Sequence, residues 1–412
     1  MALQQLRRCA SREDGFNFLM SNLPLFDSLL QVFFDDMHIG GYELVAKIFV
    51  DMARHFPERT MQLLVSGDGA SKIPAYFDAQ LATSSEMLRI RLLDLFASLS
   101  TISNTWFEAM EVKGYVTLIF GELDSDDLLA RLSAFQLLGK VCSSQRGLEL
   151  MKHSNVPDKL HAMLDLEASG LNNIVLSNAI TLIGEIASSS EFAFIVMISE
   201  HTDIITSMHA HMEHDSDEVI QAIIFALARI CCTGAGITLL LQDKYSLVIR
   251  EWLEFGHSSN AEMKATTFYS LSLVLDRLFP VASAHAKAHQ LYSKLGFTDY
   301  PSIEVIHKSL NGALSELKYA ALTLLKSTLR YDWGLQEFIR FPGLSDWMVN
   351  RSTENTKKGH ELKYEAIQQA IQHPNSKALL GIGNYHVFLE YVKLGIYYQR
   401  AEAAVMVKDE HG

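Results

Sequence analysis

Apolar residues recur along the chain at the three- and four-residue spacing of amphipathic helices. In the stretch 128–142, for example, Ala134, Leu137, Leu138 and Val141 fall on one helical face. Polar residues fill the opposite face, and short polar turns separate one such stretch from the next. The pattern predicts a succession of helices joined by short connections.

Five of these helical stretches resemble one another and follow at a nearly constant distance. Each has a small residue near its end, a large apolar residue directly before it and an aliphatic residue two positions after it. The stretches cover residues 87–99, 128–142, 174–187, 219–231 and 263–275, and their small residues are Ala97, Gly139, Gly184, Ala228 and Ser272. The small residues lie 42 to 45 positions apart, which is typical of HEAT and armadillo repeats. We therefore predict an all-α fold of about seven repeats, a HEAT/armadillo-like helical-repeat solenoid wound into a curved superhelix.

Further stretches extend the array in both directions. Residues 42–56 match the repeat pattern weakly, and residues 317–329 look like one more repeat helix. Aspartates precede two of the helices, at 124–127 and 215–218, where they predict N-terminal caps. Leu325 follows its counterpart Leu271 by 54 positions, so we expect a turn-rich insertion at 279–293.

The two ends of the chain depart from the repeat. Residues 351–363 read as a polar loop, followed by an amphipathic helix and an aromatic segment. We therefore expect repeats over 1–350 and a polar loop with C-terminal capping helices over 351–412. Residues 1–10 read as the end of a repeat helix, so we expect the array to start inside a repeat, as in an N-terminally truncated form.

The amino-acid composition disfavours several fold and function classes. The chain has 412 residues, of which 49% are hydrophobic, and only 23 glycines and 8 prolines, which disfavours a turn-rich β fold. A net charge of −13 would repel phosphate backbones, so we expect no nucleic-acid partner. No apolar run reaches the ~18 residues of a membrane span, so we expect no membrane. Four cysteines form no disulfide framework, which favours a reducing compartment and a cytoplasmic location, with a nuclear pool left open.

The chain offers few groups for catalysis. His209, His211 and His214 are the most ligand-like cluster, but helical residues two positions apart point in different directions. We interpret the segment as a polar turn and keep a metal-dependent hydrolase as the enzyme alternative. Adjacent Cys231 and Cys232 lack the spacing of a metal or redox motif. The glycine triplets at 67–69, 234–236 and 381–383 predict turns and not a dinucleotide loop. We expect no catalytic residue, cofactor or metal, and no enzyme.

A helical-repeat protein of this kind usually binds other proteins along one helix face. In the second stretch Ser133, Gln136 and Lys140 share the face that points away from the apolar stripe. The equivalent positions form a ladder: Arg91, Asp94 and Ser98; Asn178, Thr181 and Glu185; Ala222, Phe225 and Arg229; Thr266, Tyr269 and Leu273. The residues that we predict to bind a partner are Arg91, Asp94, Gln136, Lys140, Asn178, Glu185, Phe225, Arg229 and Tyr269. The alternative for Phe225 and Tyr269 is that they are core residues.

The C-terminal part carries a recognisable series of motifs. In order, these are Phe341-Pro342-Gly343, Asn350-Arg351-Ser352, Lys363-Tyr364-Glu365, Gly383-Asn384-Tyr385, Leu389, Tyr391 and Gly395-Ile396-Tyr397-Tyr398. Their order and spacing resemble the 26S proteasome non-ATPase regulatory subunit 5 family, and the resemblance extends over the whole chain.

The resemblance implies an assembly chaperone with a HEAT/armadillo-like solenoid. It implies binding to the C-terminal domain of one ATPase subunit of the proteasome regulatory particle base, and absence from the finished proteasome. We expect the unbound chain to be a monomer. The alternative is an armadillo-type adaptor for nuclear transport or a cytoskeletal scaffold. A tryptophan–asparagine ladder would favour a peptide-tracking importin, but Trp106, Trp252, Trp333 and Trp347 share no repeat position.

Overall fold

The computed structural model describes residues 2–35, 39–66, 72–83, 85–165, 172–200, 203–213, 216–297 and 300–398. It divides the chain into two compact units, Met1–Ile223 and Ile224–Gly412. Across the described ranges the secondary structure is helical, and the β-bridge found there joins Phe297 and Tyr300. The predicted all-α helical-repeat fold is therefore confirmed.

The first unit consists of helices that follow one another along the chain. They are α1 (Ala2–Ala10), α2 (Glu13–Ser21), α3 (Leu23–Phe33), α4 (Ile39–His55), α5 (Pro57–Met61), α6 (Ile73–Thr83), α7 (Glu86–Ser100), α8 (Asn104–Val112), α9 (Tyr115–Gly121), α10 (Leu128–Val141), α11 (Gln145–Lys152), α12 (Val156–Ala162), α13 (Asn173–Ala187), α14 (Glu191–Phe194) and α15 (Asp203–His211). Helix α16 (Asp217–Cys231) contains the boundary between the units. π-helical turns at Gln62–Ser66 and Ile195–Ser199 and a 3-10 turn at Glu122–Asp124 extend the neighbouring helices.

The second unit continues with helices of the same kind. They are α17 (Gly234–Leu240), α18 (Ser246–Glu254), α19 (Ala261–Leu278), α20 (His285–Ser293), α21 (Ser302–Leu310), α22 (Ser315–Thr328), α23 (Asp332–Arg340), α24 (Leu344–Val349), α25 (Lys357–Gln372) and α26 (Ser376–Leu394). Single 3-10 turns lie at Asp243–Tyr245, Phe255–His257, Ala282–Ala284 and Arg351–Thr353. Helix α26 is kinked at Gly381, whose φ of 75° lies in the left-handed region.

Contacts between neighbouring repeats follow the period read from the sequence. In the first unit Arg7 donates to Asp51, 44 positions later, and Asn173 donates to Ser216, 43 positions later. The ion pair between Asp94 and Lys140 joins α7 and α10 across 46 positions. Each of the five aligned stretches forms a helix, so the predicted period is confirmed.

The small residue of each repeat lies where consecutive repeat helices pack closely. A Cβ atom at Gly139 would lie 3.5 Å from the Cδ1 atom of Leu182 on the next helix. In the second unit the hydroxyl groups of Ser272 and Ser327 are 2.8 Å apart in the core. Ala97 and Ala228 are fully buried. Small side chains at these positions let adjacent helices approach without a cavity.

A tight turn recurs after several repeat helices. The Thr233 hydroxyl accepts a hydrogen bond from Gly236 N at 3.0 Å, and Ser144 caps Gly147 N at the same distance. A Cβ atom at Gly236 would lie 1.9 Å from the Ile230 carbonyl oxygen, so only glycine fits there. The glycine triplet 234–236, which predicts a turn, forms the first helical turn of α17, because Thr233 caps the helix directly before it. The triplet 67–69 lies outside the described residues.

The expected turn-rich insertion at 279–293 is wrong. Residues His285–Ser293 form helix α20, and Ala288, Leu291 and Tyr292 of this helix are buried. The segment contains no glycine or proline after Pro280, so nothing in it interrupts a helix. Two helices, α20 and α21, lie between α19 and α22, the same number as between α10 and α13 or between α16 and α19. The longer spacing between Leu271 and Leu325 therefore comes from the longer helix α19 and from the connections before and after α20.

The polar loop predicted at 351–363 is shorter than expected. Helix α25 already begins at Lys357, because the Thr356 hydroxyl accepts a hydrogen bond from Gly359 N at 3.1 Å and caps the helix. A Cβ atom at Gly359 would lie 2.2 Å from the Oε2 atom of Glu354. Glycine therefore allows this buried carboxylate to lie against the helix. The domain boundary between residues 350 and 351 stays a prediction.

In the described part of the chain, no single helix is both long and apolar enough to cross a bilayer. Helices α16 and α17 reach the required length and hydropathy only as a pair, and the two are bent by 119° at the break between them.

Candidate functional site

The first unit carries an open groove on the ladder face of its repeat helices. The groove has a volume of about 1070 Å³ and is formed by α4, α7, α10 and α13, with Arg7 of α1 at one end. Ladder residues that line it are Arg91, Asp94, Ser98, Ser133, Gln136, Lys140 and Glu185. The structure thus brings together the predicted residues of three consecutive repeats. We call this feature the first-unit groove.

Charges of both signs line the first-unit groove, and several form pairs between repeats. Lys140 forms its ion pair with Asp94 of the preceding repeat, and Arg7 Nε donates to Asp51 Oδ2 at 2.6 Å. Gln136 of α10 and Glu185 of α13 also line the groove and are exposed. Pairs of this kind, partly exposed to water, contribute little stability individually. Their effect is to hold charged side chains in fixed positions along the groove.

Arg91 occupies a special place in the groove wall. Its side chain is buried, its guanidinium lies 4.7 Å from the centre of the Tyr42 ring, and Nη1 donates to the Asp35 carbonyl at 3.0 Å. Burial, together with the nearby Asp94 carboxylate, raises the pKa of Tyr42. The guanidinium is therefore held by residues of the preceding repeat and shapes the wall.

The predicted residues of the second unit lie on the exposed side of otherwise buried helices. Phe225 and Arg229 on α16 and Tyr269 on α19 are half-buried, whereas the neighbouring Leu227 and Phe268 are fully buried. Burial raises the pKa of Tyr269, and the nearby Glu316 carboxylate raises it further. Their role in binding a partner stays a prediction.

Among the predicted residues of the first unit, Asn178 is the one that does not line the first-unit groove. Its amide Nδ2 donates to the Ile174 carbonyl of its own helix at 2.7 Å. The side chain is half-buried and turned along the helix toward its N-terminus. Asn178 remains on the ladder face, one turn after Ile174.

The prediction missed three exposed apolar residues at a single repeat position. Met87, Leu129 and Ile174 each lie four positions before the first ladder residue of their helix, and they are 54%, 72% and 41% exposed. Four positions correspond to about 40° around a helix, so these residues share the ladder face. The repeat alignment contained the signal, but the ladder was read only from its first polar residue. We call these three residues the apolar row.

Within the cluster of His209, His211 and His214, the structure gives His211 a role in packing. His211 is buried, and its Nε2 atom lies 3.1 Å from the Leu164 carbonyl oxygen, 47 positions earlier. His214 and Asp215 lie outside the described residues. Where the structure describes side chains, no three His, Cys, Asp or Glu residues are arranged to hold a metal ion.

Burial raises the pKa of the Cys142 and Cys232 thiols to about 12, which keeps both thiols protonated.

In the second unit Arg351 joins the segments that carry the C-terminal motifs. Its Nη1 atom donates to the carbonyls of Gly395 at 2.8 Å and Ile396 at 3.0 Å, and its Nη2 atom donates to that of Tyr391 at 3.0 Å. The guanidinium also lies 3.9 Å from the centre of the Tyr391 ring. The motif residues around Arg351 thus hold the end of α26 in place.

Lys363, of the motif Lys363-Tyr364-Glu365, binds residues between α24 and α25 from a buried position. Its side chain is fully buried, and its Nζ atom donates to the Asn350 carbonyl at 2.5 Å and to the Thr353 hydroxyl. The ammonium group lies 4.5 Å from the centre of the Trp347 ring. Burial lowers the pKa of Lys363 to about 7, although the nearby Glu354 carboxylate acts in the opposite direction.

Comparisons with known proteins give one consistent result. The family model described as "Proteasome non-ATPase 26S subunit" matches residues 1–410. The 26S proteasome non-ATPase regulatory subunit 5 of Homo sapiens is 19% identical over 420 residues, covering 99% of this chain and 79% of the human protein. The protein of the same name from Drosophila melanogaster is 20% identical over 293 residues, covering 70% of this chain. The match spans 57% of the fly protein's length.

Solved structures that align with the chain include engineered and designed proteins. One engineered protein aligns with a TM-score of 0.47 and 15% identity over 94% of this chain and 89% of its own. The designed armadillo repeat protein YIII(Dq)4CqI aligns with a TM-score of 0.41 and 13% identity over 61% of this chain and 98% of its own.

Proposed function

Because this chain belongs to the family of proteasome non-ATPase 26S subunits, we propose that it is an assembly chaperone of the proteasome regulatory particle base. In this proposal it binds the C-terminal domain of one ATPase subunit. It holds the assembly intermediate, and it leaves before the finished proteasome forms. The proposal includes a non-catalytic role, a cytoplasmic location with a nuclear pool, and a monomeric unbound state.

The observation that best supports this function is the first-unit groove. Its walls come from consecutive repeats, so its length suits a folded partner surface better than a small molecule. The groove presents fixed charges of both signs together with the exposed amide of Gln136. A partly charged and hydrated surface binds through shape and charge complementarity, and it releases its partner more readily than a wide apolar interface does.

To hold an assembly intermediate, the chain needs only to cover part of an ATPase subunit reversibly. While the chain covers part of an ATPase subunit, other subunits cannot contact that part. The net charge of −13 would attract a basic domain and raise the rate of encounter. Competition by the correct neighbouring subunit would then displace the chaperone. No bond is made or broken in this cycle.

Affinity capture from a cell lysate tests the proposal. The tagged chain is used as bait, and bound proteins are identified by mass spectrometry. We expect ATPase subunits of the proteasome base without the proteolytic core. Co-purification of complete proteasomes, or recovery of folded chain without any ATPase subunit, would contradict the proposal. Enrichment of nuclear-transport or cytoskeletal proteins instead would favour the adaptor alternative.

Two matched charge exchanges locate the contact. The first, Asp94→Lys with Lys140→Asp, keeps the ion pair in the first-unit groove but reverses its direction. The second, Lys152→Glu with Glu200→Lys, does the same to a pair of 2.7 Å on the first unit that does not line the groove. The proposal predicts that the first exchange lowers the yield of captured ATPase subunits at least about fivefold and that the second leaves it unchanged.

A further inference from the structure

The apolar row lies one helical turn from the ladder in each of three consecutive repeats. In every repeat the row residue contacts the first ladder residue of its helix. Arg91 Nη2 lies 3.4 Å from Met87 Sδ, and the Ser133 hydroxyl donates to the Leu129 carbonyl at 2.8 Å. The amide of Asn178 donates to the Ile174 carbonyl in the same way. The row is therefore a repeated feature of one surface of the first unit.

Acidic residues lie beside two of the three members of the apolar row. Glu86 begins α7, Asp126 and Asp127 directly precede α10, and all three are exposed, whereas α13 begins after the neutral Asn172. At the next repeat, the position that corresponds to the row is occupied by exposed Glu218, whose Oε1 atom lies 3.2 Å from the Ser177 hydroxyl. The repeat that follows Ile174 therefore carries a carboxylate at the position of the apolar row.

The basic side chains closest in sequence to the row are bound to oxygen atoms of the protein itself. Arg89 Nη2 donates to the Glu122 carboxylate at 2.9 Å, and Arg131 Nη2 donates to the Ser125 carbonyl at 2.7 Å. Arg91 is buried against the preceding repeat. Electrostatically, the exposed border of the row is acidic, which favours a partner with positive charge.

We infer that the apolar row is a docking surface for an amphipathic helix of a partner protein, with one apolar residue every seven positions and lysine or arginine on both sides. Neighbouring packed helices lie about 8–10 Å apart, which sets the spacing of the row. Two turns of an α-helix advance about 10.5 Å and return a side chain to nearly the same face. On a strand, residues of one face lie about 6.6 or 13 Å apart and do not match this spacing. The inference deepens the proposed function and rests on it only for the partner's identity.

Synthetic peptides of about three heptads test the inference on the full-length chain. The first peptide carries one leucine per heptad on an alanine background, with lysines flanking the leucine stripe. The second has the same composition in scrambled order, and the third has glutamate in place of lysine. Fluorescence anisotropy measures the dissociation constant of each. We expect the first peptide to bind at least about tenfold more tightly than the other two.

Three variants of the chain locate the binding. The row variant is Met87→Gln with Leu129→Gln and Ile174→Gln. The control variant changes three comparably exposed residues of the first unit outside the ladder face, Val112→Gln, Leu118→Gln and Ile195→Gln. The row variant should weaken binding of the first peptide at least about tenfold, and the control variant should change it less than twofold. The charge variant, Glu86→Lys with Asp126→Lys, should weaken the lysine peptide and strengthen the glutamate peptide.

Several outcomes would overturn the inference. These are equal binding of ordered and scrambled peptides, equal loss in the row and control variants, or preference for the glutamate peptide. A dimer of the chain that the row variant dissociates would assign the row to self-association instead.

Capture of ATPase subunits in parallel separates this inference from the proposed function. Capture without binding of the ordered peptide refutes the inference alone, and peptide binding at the row without capture refutes the proposed function alone.

Discussion

The guanidinium of Arg351 lies 3.9 Å from the centre of the Tyr391 ring and also donates a hydrogen bond to the Tyr391 carbonyl. With the bonds to Gly395 and Ile396, one side chain contacts both the ring and the backbone at the end of α26. The motif Asn350-Arg351-Ser352 and the aromatic segment are therefore parts of one structural unit, although 40 positions separate Arg351 from Tyr391.

Replacing Arg351 should loosen this end of the second unit. We expect Arg351→Ala to lower the free energy of unfolding by about 2 kcal/mol, because it removes charge-assisted bonds to three carbonyls. Arg351→Lys should restore only part of the loss, since an ammonium group cannot reproduce the planar fork. Urea unfolding followed by circular dichroism measures the effect. The exposed Lys357→Ala provides the control, and a midpoint for Arg351→Ala equal to the control would contradict the assignment.

The glycine in the recurrent tight turn is expected to be irreplaceable. Gly236→Ala and Gly147→Ala each place a methyl group about 2 Å from a carbonyl oxygen of the preceding helix, at Ile230 and Val141. The backbone must move, and we expect a loss of about 3 kcal/mol in each variant. Gly40 lies in helix α4, and a Cβ atom added there would enter open space, so Gly40→Ala should be neutral or slightly stabilising. Thermal unfolding of the three variants should show this order, and equal melting temperatures would refute the steric argument.

The buried Lys363 predicts a particular dependence of stability on pH. Burial lowers its pKa in the folded chain to about 7, from an ordinary value of 10.5. Above pH 7 the unfolded chain binds the proton and the folded chain does not, so this lysine makes stability increase with pH until the unfolded group also titrates. The wild type should therefore gain stability relative to Lys363→Met between pH 7 and 9. Melting temperatures across this range measure the difference, with Lys357→Met as the exposed control. A constant difference would mean that Lys363 stays charged.

The ladder of the second unit can be tested with partner binding. We expect Phe225→Ala combined with Tyr269→Ala to weaken binding of the captured ATPase subunit at least about tenfold, because half-buried aromatic residues often anchor interfaces. The far-UV circular dichroism spectrum should remain unchanged. Leu247→Ala combined with Val281→Ala removes exposed apolar residues of the same unit outside the ladder and serves as the control. Unchanged affinity would show that the ladder is misplaced in this unit.

The repeats could be predicted from the sequence because every repeat must pack against the next one in the same way. A small residue must face the next helix, as Gly139 faces Leu182, and this requirement leaves a visible mark every 42 to 45 positions. The same reasoning led to Gln136 and Lys140 of the first-unit groove, since both lie opposite the apolar stripe. Periodic requirements are therefore readable from a single sequence.

Other features could not be predicted from the sequence, because they depend on contacts between residues far apart in the chain. Helix α20 looked like part of an insertion because Leu325 follows Leu271 by 54 positions and Pro280 predicts a turn, yet His289 stacks on Trp333 with ring centres 4.6 Å apart. Arg91 looked like an exposed ladder residue, but Asp35 of the preceding repeat, 56 positions earlier, binds its guanidinium. The apolar row was missed for another reason. Exposed Met87 and Leu129 look like ordinary core residues until the structure shows their exposure.

The contacts between neighbouring repeats join residues about one repeat apart in sequence, from Ser177 and Glu218 at 41 positions to Arg91 and Asp35 at 56 positions. The apolar face of a repeat can therefore be covered as soon as the next repeat has been synthesised. A ribosome would need to release only about one further repeat before each new helix pair finds its packing partner. Such a chain can fold in step with translation, and at any moment only the most recently made repeat exposes its core.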